Sequence, residues 1–113
     1  MIEKKLGKIE KVHFGLTGYQ DAMLGLSLTF SGDGWGVGTN EPMFWDANTI
    51  QHDKYSKWSE EDRDKAYAKT MRRISDLLKD AKVNEIHRLL GKPVECTFDG
   101  LSLVEWRILT EVL

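Results

Sequence analysis

The chain contains a single cysteine, Cys96, in 113 residues. An internal disulfide is excluded, so packing and hydrogen bonds must hold the fold. Cys96 lies in an alternating apolar stretch, where a thiol acts as a small buried hydrophobe rather than as a nucleophile. No apolar run approaches the ~20 residues of a membrane-spanning helix. Met1-Ile2-Glu3-Lys4-Lys5 is charged and no apolar run follows it, so no signal peptide is expected. An excess of one charge is missing too: 16 Lys and Arg face 18 Asp and Glu, for a net charge of -2. That balance argues against duplex nucleic acid as a partner, which wants a basic surface, and against mimicry of DNA, which wants a large acidic excess. The histidines, His13, His52 and His87, are scattered, and His52 with Asp53 is their only close pairing with an acidic residue. Adjacent residues in a strand or helix point apart, so no metal site and no cofactor are expected.

What the chain has instead is a glycine run. Gly32, Gly34, Gly36 and Gly38 recur at every second position around Asp33, Trp35 and Val37. In a strand, alternate residues share a face, so one face of this segment would be bare main chain, with Trp35 and Val37 on the other. Bare backbone in a sheet marks a close approach by something else. That visitor is a helix, a second subunit or a ligand. Phosphate-loop chemistry does not fit, because a strand rather than a helix N-terminus follows and the P-loop lysine is missing.

Around this run the pattern is that of one α+β domain covering residues 1–113, with strands and helices in the order β-β-β-α-α-β-β and the helices packed on one face of a mainly antiparallel sheet. Lys5 to Phe14 reads as a strand with Val12 and Phe14 on one side and Ile9 and His13 on the other. Ala22 to Phe30 alternates most cleanly, and Ser31-Gly32-Asp33-Gly34 signals a hairpin into a strand over Trp35 to Thr39. Asn40 to Lys57 reads as a partly packed functional loop carrying Phe44, Trp45 and Tyr55. Ser59 is placed to cap a helix whose apolar stripe is Tyr67, Met71, Ile74, Leu78 and Ala81, with Trp58 stapling its start. A shorter helical turn is expected through Val83, Ile86, Leu89 and Leu90, stopped by Gly91 and Pro93. A strand follows over Val94 to Phe98; the tail from Leu103 to Leu113 fits a strand, with Trp106, Ile108 and Val112 sharing a face, or a helix, and the Asp99-Gly100 turn before it favours the strand.

The chemistry-bearing residues form no catalytic constellation, and the chain is read as not an enzyme. Asp21, Asp46 and Asp99 sit beside turn glycines or aromatics, where carboxylates usually cap backbone. Phe44, Trp45 and Tyr55 are suited to a stacking wall, since a base stacked on an aromatic ring gains ~1–3 kcal/mol. Backbone N–H groups around Gly34 and Gly36 offer donors. Arg107, set among apolar neighbours, is either a ligand-facing cation or half of a salt bridge to Glu95 or Glu105.

Three segments together carry a resemblance: Phe14-Gly15-Leu16-Thr17-Gly18-Tyr19-Gln20-Asp21-Ala22-Met23-Leu24-Gly25, then Gly34-Trp35-Gly36-Val37-Gly38, and Phe98-Asp99-Gly100 with Trp106-Arg107-Ile108-Leu109-Thr110-Glu111. They resemble a family of short proteins encoded by bacteriophages and prophages. In size and layout the chain also resembles the Thoeris anti-defence sponges, small α+β oligomers that trap cyclic nucleotide immune signals without cleaving them. No site residue is carried over from that family. The resemblance implies a counter-defence protein of the host bacterial cytoplasm, a homo-oligomer that sequesters a cyclic or ADP-ribose-type nucleotide. The alternative partner is a host defence protein, such as a CRISPR effector, inhibited by direct docking.

Overall fold

A computed structural model describes the backbone of residues 1–45 and 60–113. Among the described residues the strands are β1 (Ile2–Thr17), β2 (Met23–Gly32), β3 (Trp35–Trp45), β4 (Pro93–Asp99) and β5 (Ser102–Ile108), and one α-helix, α1 (Glu60–Ala81), lies between β3 and β4 in sequence. The strands form an antiparallel sheet in the order β3-β2-β1-β4-β5. The α+β class therefore holds. The shorter helical turn forms as a 3-10 turn, Ile86–Leu89, so the expected order with two helices is matched only in part. The tail also stops being a strand at Ile108 and closes in a 3-10 turn at Thr110–Val112, so Val112 is exposed instead of sharing a face with Trp106.

β1 is the spine. Its 16 residues are too many for one partner, and it serves two. Residues 2–8 pair with β4 and residues 8–17 pair with β2. The register slips between Ile9 and Lys11. This β-bulge resets the alternation, so Ile9, Val12 and Phe14 lie opposite Phe30, Leu28 and Leu26 on one face. The expected split of Ile9 from Val12 fails for that reason.

The sheet is strongly coiled. β3 and β5 are its two edges, four strand spacings apart, which in a flat sheet is ~19 Å. Yet the Trp106 indole N–H on β5 donates to Glu41 Oε1 on β3 at 2.6 Å. Phe30 of β2 packs on Trp106 with ring centroids 4.7 Å apart, and Trp35 of β3 meets Phe98 of β4 edge to face at 5.4 Å. The two halves of the sheet therefore fold toward each other around Ile9, Leu26, Leu28, Phe30, Val94, Cys96 and Ile108, all buried. Leu77 and Ala81 of α1 complete this core.

α1 buries Thr70, Leu77 and Ala81, with Ile74 and Leu78 packed beside them, while Tyr67 and Met71 stay exposed. The helix is rotated from the expected stripe because Arg73 is held on the sheet side. Its Nε donates to Glu41 Oε2 at 2.8 Å, and its guanidinium lies 5.2 Å from the Trp106 ring centroid. The proposed Ser59 cap and Trp58 staple lie outside the described residues.

Candidate functional site: a glycine-floored cleft on the outer face

Two glycines shape the sheet where β1 leaves β2. Gly7 and Gly32 both face the Trp35 indole. A Cβ at Gly32 would collide with the Trp35 indole, and one at Gly7 would collide with the Ser31 carbonyl oxygen and stand 2.8 Å from the Trp35 ring. Real Cβ atoms do not approach that closely, so glycine is required at Gly32 by the ring and at Gly7 by the Ser31 carbonyl together with the ring. This corrects the expected grouping of four bare glycines. Gly32 belongs to β2, pairs with Trp35 and is covered by it.

The remaining glycines behave as expected. Gly34 forms the β2–β3 turn with φ of 77°, and nothing lies within 4 Å of its missing Cβ. Gly36 pairs with Ser31 and Gly38 with Thr29, on the face away from α1. Both glycines are exposed, and a Cβ at either would meet only a backbone oxygen of β2 at ordinary contact distance, 3.6 and 3.8 Å. Within the described residues, no helix covers this ribbon of main chain.

The ribbon borders a cleft. Leu6, Gly7, Lys8, Ser31 and Gly32 line a space of about 490 Å³ where β1 turns from β2 toward β4. The floor is sealed from the core side by the Trp35 indole. Its rim carries an exposed apolar side chain, Leu6, a lysine ammonium and a serine hydroxyl. Lys8 forms no ion pair among the described residues. A cleft of this volume with few polar groups is of the size that takes a small ligand. The pairing of Ser31 with Gly36 joins cleft and ribbon into one surface.

Arg107 is elsewhere. It projects from β5, the opposite edge from Gly34 and Gly36, and both of its sides are occupied. Its Nε donates to Glu95 at 3.2 Å, and Nη1 and Nη2 donate in parallel to the two Glu111 oxygens at 2.9 Å each. The two carboxylates hold the guanidinium even more firmly protonated than usual. Hydrogen bonding to Arg107 pulls Glu111 down to about 2 from its ordinary 4.5. A phosphate arriving there would have to displace both carboxylates, so Arg107 is a structural clamp and not part of the cleft. Its ion pair with Glu95 was one of the expected partners. Glu111 was not, because the tail was read as strand.

Phe44 and Trp45 fall in β3, paired with Leu24 and Met23. The expected loop therefore begins later than Asn40, and their side chains lie outside the described part of the structure. Tyr55, Asp46, His52 and Asp53 lie outside the described residues. Lys8, Leu6 and Ser31 were missed by sequence reasoning. The only signal for them was Gly7, an isolated glycine inside a strand pattern.

Among the described residues, no three His, Cys, Asp or Glu side chains gather as a metal-binding group. Cys96 is buried, and burial pushes its thiol up to about 11, so little thiolate forms at neutral pH. Asp99 receives the Met1 amino group at 3.3 Å. No described helix is long and apolar enough to cross a membrane. No family model, curated protein or solved structure matches the chain.

Proposed function

We propose that this chain is a non-catalytic binding protein that sequesters a nucleotide-derived signalling molecule on the outer face of β1–β2–β3. The observation that carries the reading is the continuity of the 490 Å³ cleft with the uncovered Gly36–Gly38 ribbon. Lys8 is the cation that counters a phosphate there. Ser31 supplies a hydroxyl, and a flat base lies against main chain that no side chain obstructs. The cleft is open, so a second copy over the same face would complete the enclosure that a scarce signal needs. Nanomolar capture requires about 12 kcal/mol. In keeping with the resemblance of its turn motifs to phage proteins, the setting is counter-defence in a bacterial cytoplasm, where holding a messenger intact is enough.

The test is calorimetric titration of the full chain with a panel of cyclic dinucleotides, cyclic oligonucleotides and cyclic ADP-ribose isomers, followed by heating and recovery of the ligand. The reading expects one member to bind, to return uncleaved and to lose affinity in Lys8→Gln. Silence across the panel, or recovery of a cleaved product, overturns it.

A second reading has its own observation. Among the described residues β3 has a strand neighbour on one side only, and Trp35 to Asn40 carries no charge to repel a partner strand. An extended segment of a host defence protein would add to that edge. Stoichiometric capture of such a protein, lost in a β3 variant and unaffected by Lys8→Gln, would favour it over the first.

A further inference from the structure

α1 ends in an unusual way. The Lys82 N–H donates to the Lys79 carbonyl at 3.2 Å and the Val83 N–H donates to the Leu78 carbonyl at 3.0 Å. This is a Schellman ending, in which the residue at the Lys82 position adopts left-handed backbone and is usually glycine. Here Lys82 holds φ at 58°, a conformation that disfavours a residue with a Cβ. Glycine would serve the helix better, so the lysine side chain is kept at a cost to the fold.

Its surroundings show a use for it. Lys82, Val83, Asn84 and Arg88 line a cleft of about 470 Å³ between the end of α1 and the Ile86–Leu89 turn. Neither Lys82 nor Arg88 has a carboxylate within salt-bridge distance among the described residues, although Asp80 and Glu85 are close in sequence. The turn is anchored by Leu89, fully buried, and by the Arg88 N–H donating to the Glu85 carbonyl at 3.2 Å, so Arg88 stands on a fixed base. The negative end of the helix dipole would oppose an anion, but the Leu78 and Lys79 carbonyls are already engaged by Lys82 and Val83.

From this geometry we infer a phosphate-binding site formed by Lys82, Arg88 and the Asn84 amide. Arg88 offers its planar fork to two phosphate oxygens, Lys82 a point charge, and Asn84 a neutral donor. The ligand is a free phosphate or the phosphate group of a small molecule. The site shares no residue with the β1–β2 cleft and stands or falls apart from it.

The experiment follows backbone amides of the full chain by NMR during titration with inorganic phosphate or with AMP, against sodium chloride at matched ionic strength. Saturable shifts are expected at Lys82, Val83, Asn84 and Arg88. Arg88→Gln and Lys82→Gly should each weaken binding about tenfold, the loss of one charge-assisted contact. Lys82→Gly should at the same time raise the melting temperature. Tighter binding of AMP than of phosphate would identify a nucleotide-borne group, and equal binding a free phosphate. Shifts that chloride reproduces, shifts centred elsewhere, or unchanged affinity in Lys82→Gly would overturn the inference.

Discussion

The two edges of the sheet are built on opposite principles. β5 is guarded by charge: Glu105 and Arg107 project from it, and Arg107 is clamped between Glu95 and Glu111. β3 is uncharged from Trp35 to Asn40, bare at Gly36 and Gly38, and tolerates Pro42, whose missing N–H suits an edge. Its charge, Glu41, is turned inward and spent on Trp106 and Arg73. Proteins protect edges with charges and with inward-pointing ionic groups. β5 uses the first device. β3 uses the second over its middle and leaves its first half open. The difference teaches where to look for a partner: an edge already closed by its own ion pairs has little left to offer, whereas an edge kept bare invites contact.

The strongest way to break the comparison is to cut the tie between the edges. Glu41→Ala removes the acceptor of three hydrogen bonds and strands Arg73 and the Trp106 N–H. A loss of about 3 kcal/mol is expected in urea unfolding. Glu41→Gln keeps an acceptor for Trp106 and should lose less. Gly32→Ala comes next, since its methyl meets a Trp35 ring braced edge-on against Phe98, and about 1–3 kcal/mol should be lost. If neither change registers, the coil of the sheet does not depend on these contacts.

The guard on β5 is sharpened by pH. The Glu111 carboxyl is depressed to about 2 from 4.5 when folded. Its contribution is therefore fully present above pH 4.5 and is lost as pH falls toward 2. A carbon-detected NMR titration should place its midpoint near 2 and return it to the ordinary range in Arg107→Gln. A midpoint already ordinary in the unaltered chain would mean the clamp is not formed. The smallest effect on stability is expected on the open half of β3. Gly36→Val gains strand propensity and meets no clash, so the change should stay below about 1 kcal/mol. Binding at the outer face should nevertheless disappear, and titration with the ligand found for the unaltered chain checks it.

Local signals were legible and distant ties were not. The β2–β3 hairpin followed from Ser31-Gly32-Asp33-Gly34, and Leu26, Leu28 and Phe30 of the apolar face expected over Ala22 to Phe30 are buried, while Leu24 is half-buried and Gly25 of the other face is buried. The bulge after Ile9 could not be read, because an extra residue in a strand leaves no mark except relative to its partner. The rotation of α1 was hidden for a similar reason: Tyr67 and Met71 look like core until Arg73 finds Glu41, 32 residues away. At the site, Gly34 and Gly36 were visible because glycine periodicity is local. Lys8 and Ser31 meet only when β1 pairs with β2, and Glu111 reaches Arg107 only because the tail leaves the strand after Ile108 and turns at Thr110–Val112.

The double duty of β1 has a consequence for how the protein is made. Its second half can zip onto β2 as soon as the hairpin leaves the ribosome. Its first half must wait for β4, where Lys8 meets Pro93 across 85 residues of later chain (93 − 8). At about 5–20 residues per second that interval is roughly 4–17 s. During it, the nascent chain exposes an unzipped basic segment, and Lys4, Lys5 and Lys8 provide the charge that keeps such a segment from clumping with its neighbours on the same polysome.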